Sequence, residues 1–397
     1  MKRIILHVDV NNAFLSWSAV DMLENGNKVD IRKEVSIIGG TELRKGIVLA
    51  KSDSAKKLGI KTADTIYSAK QKYRNLKVYP PNYALYKQYS DNFYKYLCNY
   101  SPVVERYSID ECFIDYTGCE KLFGNPIEVA NKIKNEIKEK FGFTVNVGIG
   151  NNKLCAKMAS DFSKPNKVHT LYEFEIKEKM WPLQINDLFM IGKKTSEKLN
   201  VLGIKTIKDL AVFDINLLKK HFKNQAHLMI EYANGIDESL VESEKTDPKS
   251  ISSGTVLPYN MSDIDEIKQV IRDLTFEIGN KLRNNKMYAS IISVTIKYPD
   301  FKKESKQSTL KNSINNDISL YNESIKVFLK LWNKEPIRFI CINLKELTFS
   351  NDVQLSLLEN NDFEKDYKLQ EAVDKIRKKY GKDKMKYADM IKTKEMN

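Results

Sequence analysis

Apolar positions along this chain fall into short blocks, and the spacing inside each block predicts its element. Residues 3–9, Arg3-Ile4-Ile5-Leu6-His7-Val8-Asp9, form a nearly continuous apolar run that ends in a carboxylate, the pattern of a strand buried on both faces. A helix opens across residues 10–21, with Asn11 or Asn12 as its cap. Strands follow over 35–38 and 46–50, then a helix over 54–58 that ends at Gly59. Pro80-Pro81 breaks the chain before an aromatic helix over 83–100. Val103-Val104 and Cys112-Phe113-Ile114 predict a hairpin. A helix over 126–141 has Ile127, Ala130, Ile133, Ile137 and Phe141 as its core stripe. A strand over 143–149 and a helix over 154–161 complete this βαβ-rich part, which predicts helices laid on one sheet.

Near residue 172 the pattern changes to short helices, with Ile191–Leu199 and Leu202–Leu210 joined through glycine turns as a helix-hairpin-helix. Such a turn can offer backbone N–H groups to a DNA phosphate. Residues 242–254 lack apolar periodicity and read as a linker. A second α/β unit spans about 255–348, with a helix over 263–284 and a strand over 291–298. A polar tail follows, with a helical segment near 367–380. The fold class expected is α+β and multidomain.

Composition narrows the function. A chain of 397 residues exceeds one ordinary core and predicts two to four domains. Its 65 Lys+Arg against 52 Asp+Glu give a formal net charge of +13, which favours a polyanionic partner such as nucleic acid. No apolar run approaches the ~18 residues of a membrane span. The basic start is followed by an apolar run broken at His7 and Asp9, unlike a signal peptide, so a cytoplasmic protein with no membrane partner is expected. The five cysteines are scattered without a Cys-x-x-Cys pair, and the four histidines make no ligand-spaced cluster. Any metal must therefore be held by oxygen.

Asp110-Glu111 sits between the two strands of the predicted hairpin. Alone, the pair suits a solvated turn as well as a metal site. Asp9, ending a strand far upstream, supplies a third carboxylate, and divalent cations take such hard oxygen ligands.

Taken in order, five features resemble the Y-family (translesion) DNA polymerases of the bacterial polymerase IV type. They are the Asp9-bearing strand and Ser108-Ile109-Asp110-Glu111; Gly148-Ile149-Gly150 with Asn152–Asp161 and Lys164-Pro165-Asn166; the helix-hairpin-helix; and the basic, strand-rich C-terminal unit. The resemblance implies a right hand: palm 1–12 and 75–168, fingers 13–74, thumb 169–241, little finger 255–350 and tail 351–397. It implies a DNA polymerase of low fidelity, without a proofreading domain, acting on primer-template DNA and dNTPs as a monomer. Asp9, Asp110 and Glu111 would be the catalytic acids. Asp9, Asp110 and the Val10 carbonyl would hold two Mg²⁺, with Glu111 placing the primer-side ion. Asn12, Ala13, Phe14, Lys56 and Lys164 would contact the nucleotide, Phe14 as the gate against a ribose 2′-hydroxyl. Gly192, Lys193, Lys194, Gly203, Lys297, Lys302 and Lys303 would contact DNA. Gln354-Leu355-Ser356-Leu357-Leu358 resembles a sliding-clamp-binding peptide, through Gln354, Leu355, Leu357 and Leu358. A DNA-binding accessory subunit, like that of polymerase V and dependent on partner proteins, is the alternative, and Asp9-Val10-Asn11 is close to the polymerase V pattern. Three further positions depart from the family. Asp53 and Lys56 stand where a Tyr and an Arg usually grip the triphosphate, and Met190 replaces a glycine at the first hairpin turn.

Overall fold

The computed structural model describes residues 3–40, 46–244, 247–349 and 363–381, excluding the side chains of 363–367. The chain divides into two compact units, Met1–Lys245 and Thr246–Asn397.

A five-stranded sheet organises the first unit, in the order β5 (Val104–Arg106), β6 (Glu111–Asp115), β1 (Ile5–Val10), β7 (Val145–Gly150), β8 (Val168–Leu171). β1 is antiparallel to both β6 and β7, and all six of its residues are buried. Strand alternation sends Leu6, Val8 and Val10 to one face and Ile5, His7 and Asp9 to the other. The first face packs on α1 (Ala13–Glu24), α4 (Tyr83–Leu97) and α6 (Pro126–Phe141), through Trp17, Tyr86, Phe93, Ile133 and Ile137. The core stripe of α6 runs through Val129, Ala130, Ile133 and Ile137. Ile127 is 43% exposed, because it lies roughly 100° around the helix from the centre of that stripe.

The opposite face takes α7 (Lys153–Asp161), with Ile5 and Phe113 against Ala156. Glycine makes this approach possible. A Cβ on Gly148 would lie 1.9 Å from the Ala156 carbonyl oxygen, and one on Gly150 2.6 Å from the Cys155 Cβ.

A separate three-stranded sheet, β3 (Val48–Lys51), β2 (Ser36–Gly39), β4 (Lys77–Tyr79), is covered by α2 (Asp53–Lys57) and α3 (Ile66–Lys72) over Ile37, Val48, Ala55, Ala69 and Leu76. Four short helices, α8 (Lys193–Val201), α9 (Ile207–Ala211), α10 (Ile215–Phe222) and α11 (Gln225–Ala233), gather Leu199, Leu210, Leu218 and Met229 around Leu154 and Met158 of α7. α7 is therefore shared between the sheet and the helical cluster.

The second unit is a four-stranded antiparallel sheet, β11 (Lys303–Ile314), β10 (Tyr288–Lys297), β12 (Ile337–Thr348), β9 (Ser250–Met261). α12 (Ile264–Asn284) and α13 (Asp317–Leu331) cover one face, over Ile292, Val294, Ile296, Ile340, Ile342 and Leu344. The expected linker over 242–254 is shorter than its composition suggested, because Ser250–Gly254 already pair with β12. Gly254 faces Cys341 so closely that a Cβ there would lie 2.7 Å from the Cys341 Cβ. Small polar residues thus carry a strand on the face without helices. The helix expected near 367–380 begins earlier, as α14 (Phe363–Tyr380). Arg283 joins it to the unit by ion pairs to Asp374 (2.5 Å) and Asp317 (2.8 Å). No helix among the described residues is long and apolar enough to cross a membrane.

Candidate active site

The antiparallel register sets Asp9 directly opposite Glu111 on β6, and opposite Asn146 on β7. The Val10 N–H donates to the Asp110 carbonyl oxygen at 3.0 Å, closing the end of the β1–β6 ladder. Asp110, half-buried, also accepts a hydrogen bond from the Ser108 hydroxyl at 2.7 Å. Asp9, Val10, Asp110 and Glu111, distant in sequence, therefore meet at one end of the central strands.

Two lysines balance these acids. Lys164 pairs with Asp9 and, at 2.8 Å, with Asp161. Lys157, a buried residue of α7, reaches Glu111 at 2.8 Å and lies over the rings of Tyr107 and Phe189. Burial pushes the Asp9 carboxyl up to about 6 despite the opposing charge of Lys164. Burial pulls the Lys164 amine down, but Asp9 and Asp161 hold it above its usual value. His7, fully buried, is held well below its ordinary pKa by desolvation and by the two lysines, so it is neutral. The Ser160 hydroxyl donates to the Lys157 carbonyl at 2.7 Å. His7 Nδ1, at 2.8 Å from that hydroxyl, is therefore its donor, and Nε2 lies 3.9 Å from Glu111. Among the described residues no three of His, Cys, Asp and Glu converge as a ready metal cage. The ammonium groups of Lys157 and Lys164 occupy the carboxylates instead.

Beside the acids, the chain turns from β1 into α1 through Asn12, which adopts a left-handed conformation (φ 51°) that asparagine tolerates. Its side chain does not cap the helix; it donates to the Lys51 carbonyl on β3 at 2.7 Å. The start of α1 at Ala13 and Phe14 thus has no side-chain cap, and helix N-termini attract anions. The Phe14 ring stacks on Tyr86 (centroids 4.8 Å apart), whose hydroxyl bonds Ser18 at 2.9 Å, and Tyr83 stands edge-on to it.

Lys56 and Asp53 lie on α2 and are both exposed. Ser52 caps that helix, so Asp53 falls in its first turn, where the helix dipole favours an acid. The structure thereby gives Asp53 a local role. Lys51, half-buried, holds an amine lowered by burial and by neighbouring Lys56.

The positions expected to contact DNA are exposed or half-exposed. Gly192 caps α8, Lys193 and Lys194 occupy its first turn, and Gly203 (φ +83°) makes the turn toward α9. Met190 adopts φ +72°, so the first turn keeps a glycine-like conformation despite its side chain. In the second unit Lys297 and Lys303 are register partners on the sheet face away from the helices, beside Phe339. Lys302 precedes that strand and pairs with Glu304 at 2.8 Å. Gln354, Leu355, Leu357 and Leu358 lie outside the described residues.

Sequence reasoning missed Lys157, His7, Asn146 and Tyr86. The available signal was polar residues inside otherwise apolar blocks, as in Leu154–Ser160, where Lys157 is enclosed by buried neighbours.

Known proteins carry the same pattern. The impB/mucB/samB family matches residues 8–161, its C-terminal domain residues 248–357, and the IMS family HHH motif residues 175–204. A protein named DNA polymerase IV from Clostridium acetobutylicum is 45% identical over 385 residues, covering 96% of both chains. DNA polymerase IV 1 of Bacillus subtilis is 32% identical over 397 residues, covering 99% of this chain and 94% of its own. Among solved structures, a Y-family DNA polymerase chimera matches with a TM-score of 0.75 at 27% identity, over 87% of this chain and 100% of its own. The insertion ternary complex of Dbh DNA polymerase matches with a TM-score of 0.60 at 26% identity, over 87% of this chain and 100% of its own. The chain belongs to the impB/mucB/samB family, the Y-family DNA polymerases.

Proposed function

We propose that this chain is a template-directed DNA polymerase of low fidelity, adding deoxynucleotides to a primer 3′ end in translesion synthesis and DNA repair. The carrying observation is the meeting of Asp9, Asp110 and Glu111 at the end of the central strands of a Y-family chain. An accessory subunit without activity of its own has no need of all three acids. On this reading the five-stranded sheet is the palm, the three-stranded sheet belongs to the fingers, α8–α11 form the thumb, and the four-stranded sheet with α12 and α13 is the little finger.

The carboxylates of Asp9 and Asp110 and the carbonyl of Val10 are hard oxygen donors that suit two Mg²⁺, and a cation there would relieve the desolvated charge of Asp9. When bound, such ions lower the pKa of the primer hydroxyl and neutralise the leaving pyrophosphate. Lys164 exchanges its carboxylate partners for phosphate oxygens as nucleotide enters, with Lys56 and the start of α1 at Asn12 and Ala13 on the same triphosphate. Phe14, braced by Tyr86, excludes a 2′-hydroxyl. Lysines at 193, 194, 297, 302 and 303, with the turns at Gly192 and Gly203, hold the duplex mainly through its backbone, so affinity falls steeply with salt. Residues 354–358 tether a cytoplasmic, monomeric enzyme to the sliding clamp.

Primer extension with Mg²⁺ and dNTPs tests this reading. Asp110→Ala abolishes extension while primer-template binding survives; extension retained by that variant overturns the assignment of the acids.

A further inference from the structure

We infer that Asn146, together with Asn11, is a positioning pair that sets Lys164 for the incoming triphosphate; this rests on the reading of Lys164 given above. Asn146 occupies a sheet position where its neighbours Val145 and Val147 are apolar, and it is fully buried. A buried carboxamide there is costly unless every polar atom is satisfied, and here every one is. Its amide nitrogen donates to the Ser160 carbonyl (2.9 Å) and the Ser163 carbonyl (2.6 Å). Its oxygen accepts from Asn11 Nδ2 (3.1 Å) and from the Lys167 N–H (3.3 Å). Asn11, also buried, accepts the Asn166 N–H at 2.9 Å.

These contacts converge on the segment between α7 and β8 that carries Lys164. Ser163 precedes the lysine and Asn166 and Lys167 follow it, so the backbone is held on both sides of the residue. The same two asparagines are tied to Asp9: Asn146 is its register partner, and Asn11 follows it by two residues. One hydrogen-bond network thus fixes the lysine's backbone beside the strand that carries the acid. A long amine on a loose loop loses much of its binding energy to ordering, and pre-fixing the backbone avoids part of that loss. A pair that only stabilised the fold would need no contacts bracketing one residue.

The test is single-nucleotide incorporation by the full chain with Mg²⁺, comparing Lys164→Ala, Asn146→Leu and the double variant. Asn146→Ser replaces the leucine variant if that one does not fold. We expect Asn146→Leu to raise the KM for dNTP about ten- to hundredfold with little change in kcat or in primer-template affinity. In the Lys164→Ala background the same change should add nothing. If Lys164→Ala raises KM but the Asn146 variants do not, the pair does not act on the lysine. Additive increases also overturn the inference. If Lys164→Ala leaves KM unchanged, the triphosphate role of Lys164 fails, and the positioning role fails with it.

Discussion

The two faces of the five-stranded sheet are built from alternate residues of the same strands, yet they follow opposite rules. Toward α1, α4 and α6 the residues are apolar and need only fill space, as Leu6, Val8 and Val147 do. Toward α7 the same strand presents His7 and Asp9, with Glu111 and Asn146 beside them, and each relies on a particular partner. Side-chain volume decides the first face; partner geometry decides the second. Stability and chemistry are therefore separable across the thickness of one sheet.

The largest expected effects test that separation directly. On the proposed reading Asp9→Asn should lower kcat on the order of a thousandfold, since it weakens the hold on cations whose neutralisation of transition-state charge contributes several kcal/mol. It should leave the fold intact. In metal-free protein it should even raise stability, with a definite pH dependence. The Asp9 carboxyl titrates near 6 in the folded chain against an ordinary value of 3.8, so the folded state holds the proton more tightly. Wild-type stability then falls as pH rises from about 4 through 6, and the variant's advantage grows over that window in urea titrations. Leu6→Ala should do the reverse, costing about 3 kcal/mol of stability while folded molecules keep their kcat. An Asp9→Asn that unfolds, or a Leu6→Ala that kills turnover without destabilising, would show that the faces are not independent.

Legibility in the sequence follows the same division. β1 is recognisable because continuous apolar residues closing on a carboxylate have few other uses, and α6 is recognisable from the helical spacing of Ala130, Ile133 and Ile137. The acids could be paired because carboxylates at the ends of apolar strands are conspicuous. Lys157 and Asn146 left one mark in the sequence, a polar residue within an apolar block, which does not say whether the side chain is solvated; the packing of α7 on Gly148 and Gly150 encloses them. Ser250–Gly254 misled as a linker because serine and glycine signal a turn locally, while strand pairing with β12 is a long-range fact.

Phe14 sharpens the comparison, since on the proposed reading it faces the nucleotide while it is braced from the apolar side. Its ring rests on Tyr86 of α4. Phe14→Ala should raise ribonucleotide incorporation relative to deoxyribonucleotide by roughly 100-fold, the order by which an apolar pocket rejects an added hydroxyl. Extension with each nucleotide class separately measures it. An unchanged sugar preference removes Phe14 as the gate and returns it to the core.

The smallest effect comes from an acid on the outside of the apolar face. Asp91 on α4 accepts hydrogen bonds from Lys87 (2.5 Å) and from Arg106 of β5 (2.6 Å), which hold its carboxyl down to about 2. Asp9 is raised and Asp91 lowered because the first is desolvated and the second stays in water beside two cations. The sign of the linkage reverses accordingly. The contribution of Asp91 is complete above its ordinary value near 4 and is lost as pH falls through about 2. Solvated ion pairs contribute about 0.2–1 kcal/mol, so Asp91→Asn should cost no more than that at pH 7. The difference between variant and wild type should shrink toward zero between pH 4 and pH 2, and fade with added salt at neutral pH. If urea titrations give the same difference at both ends of that window, the helix is pinned to the sheet by packing and not by these charges.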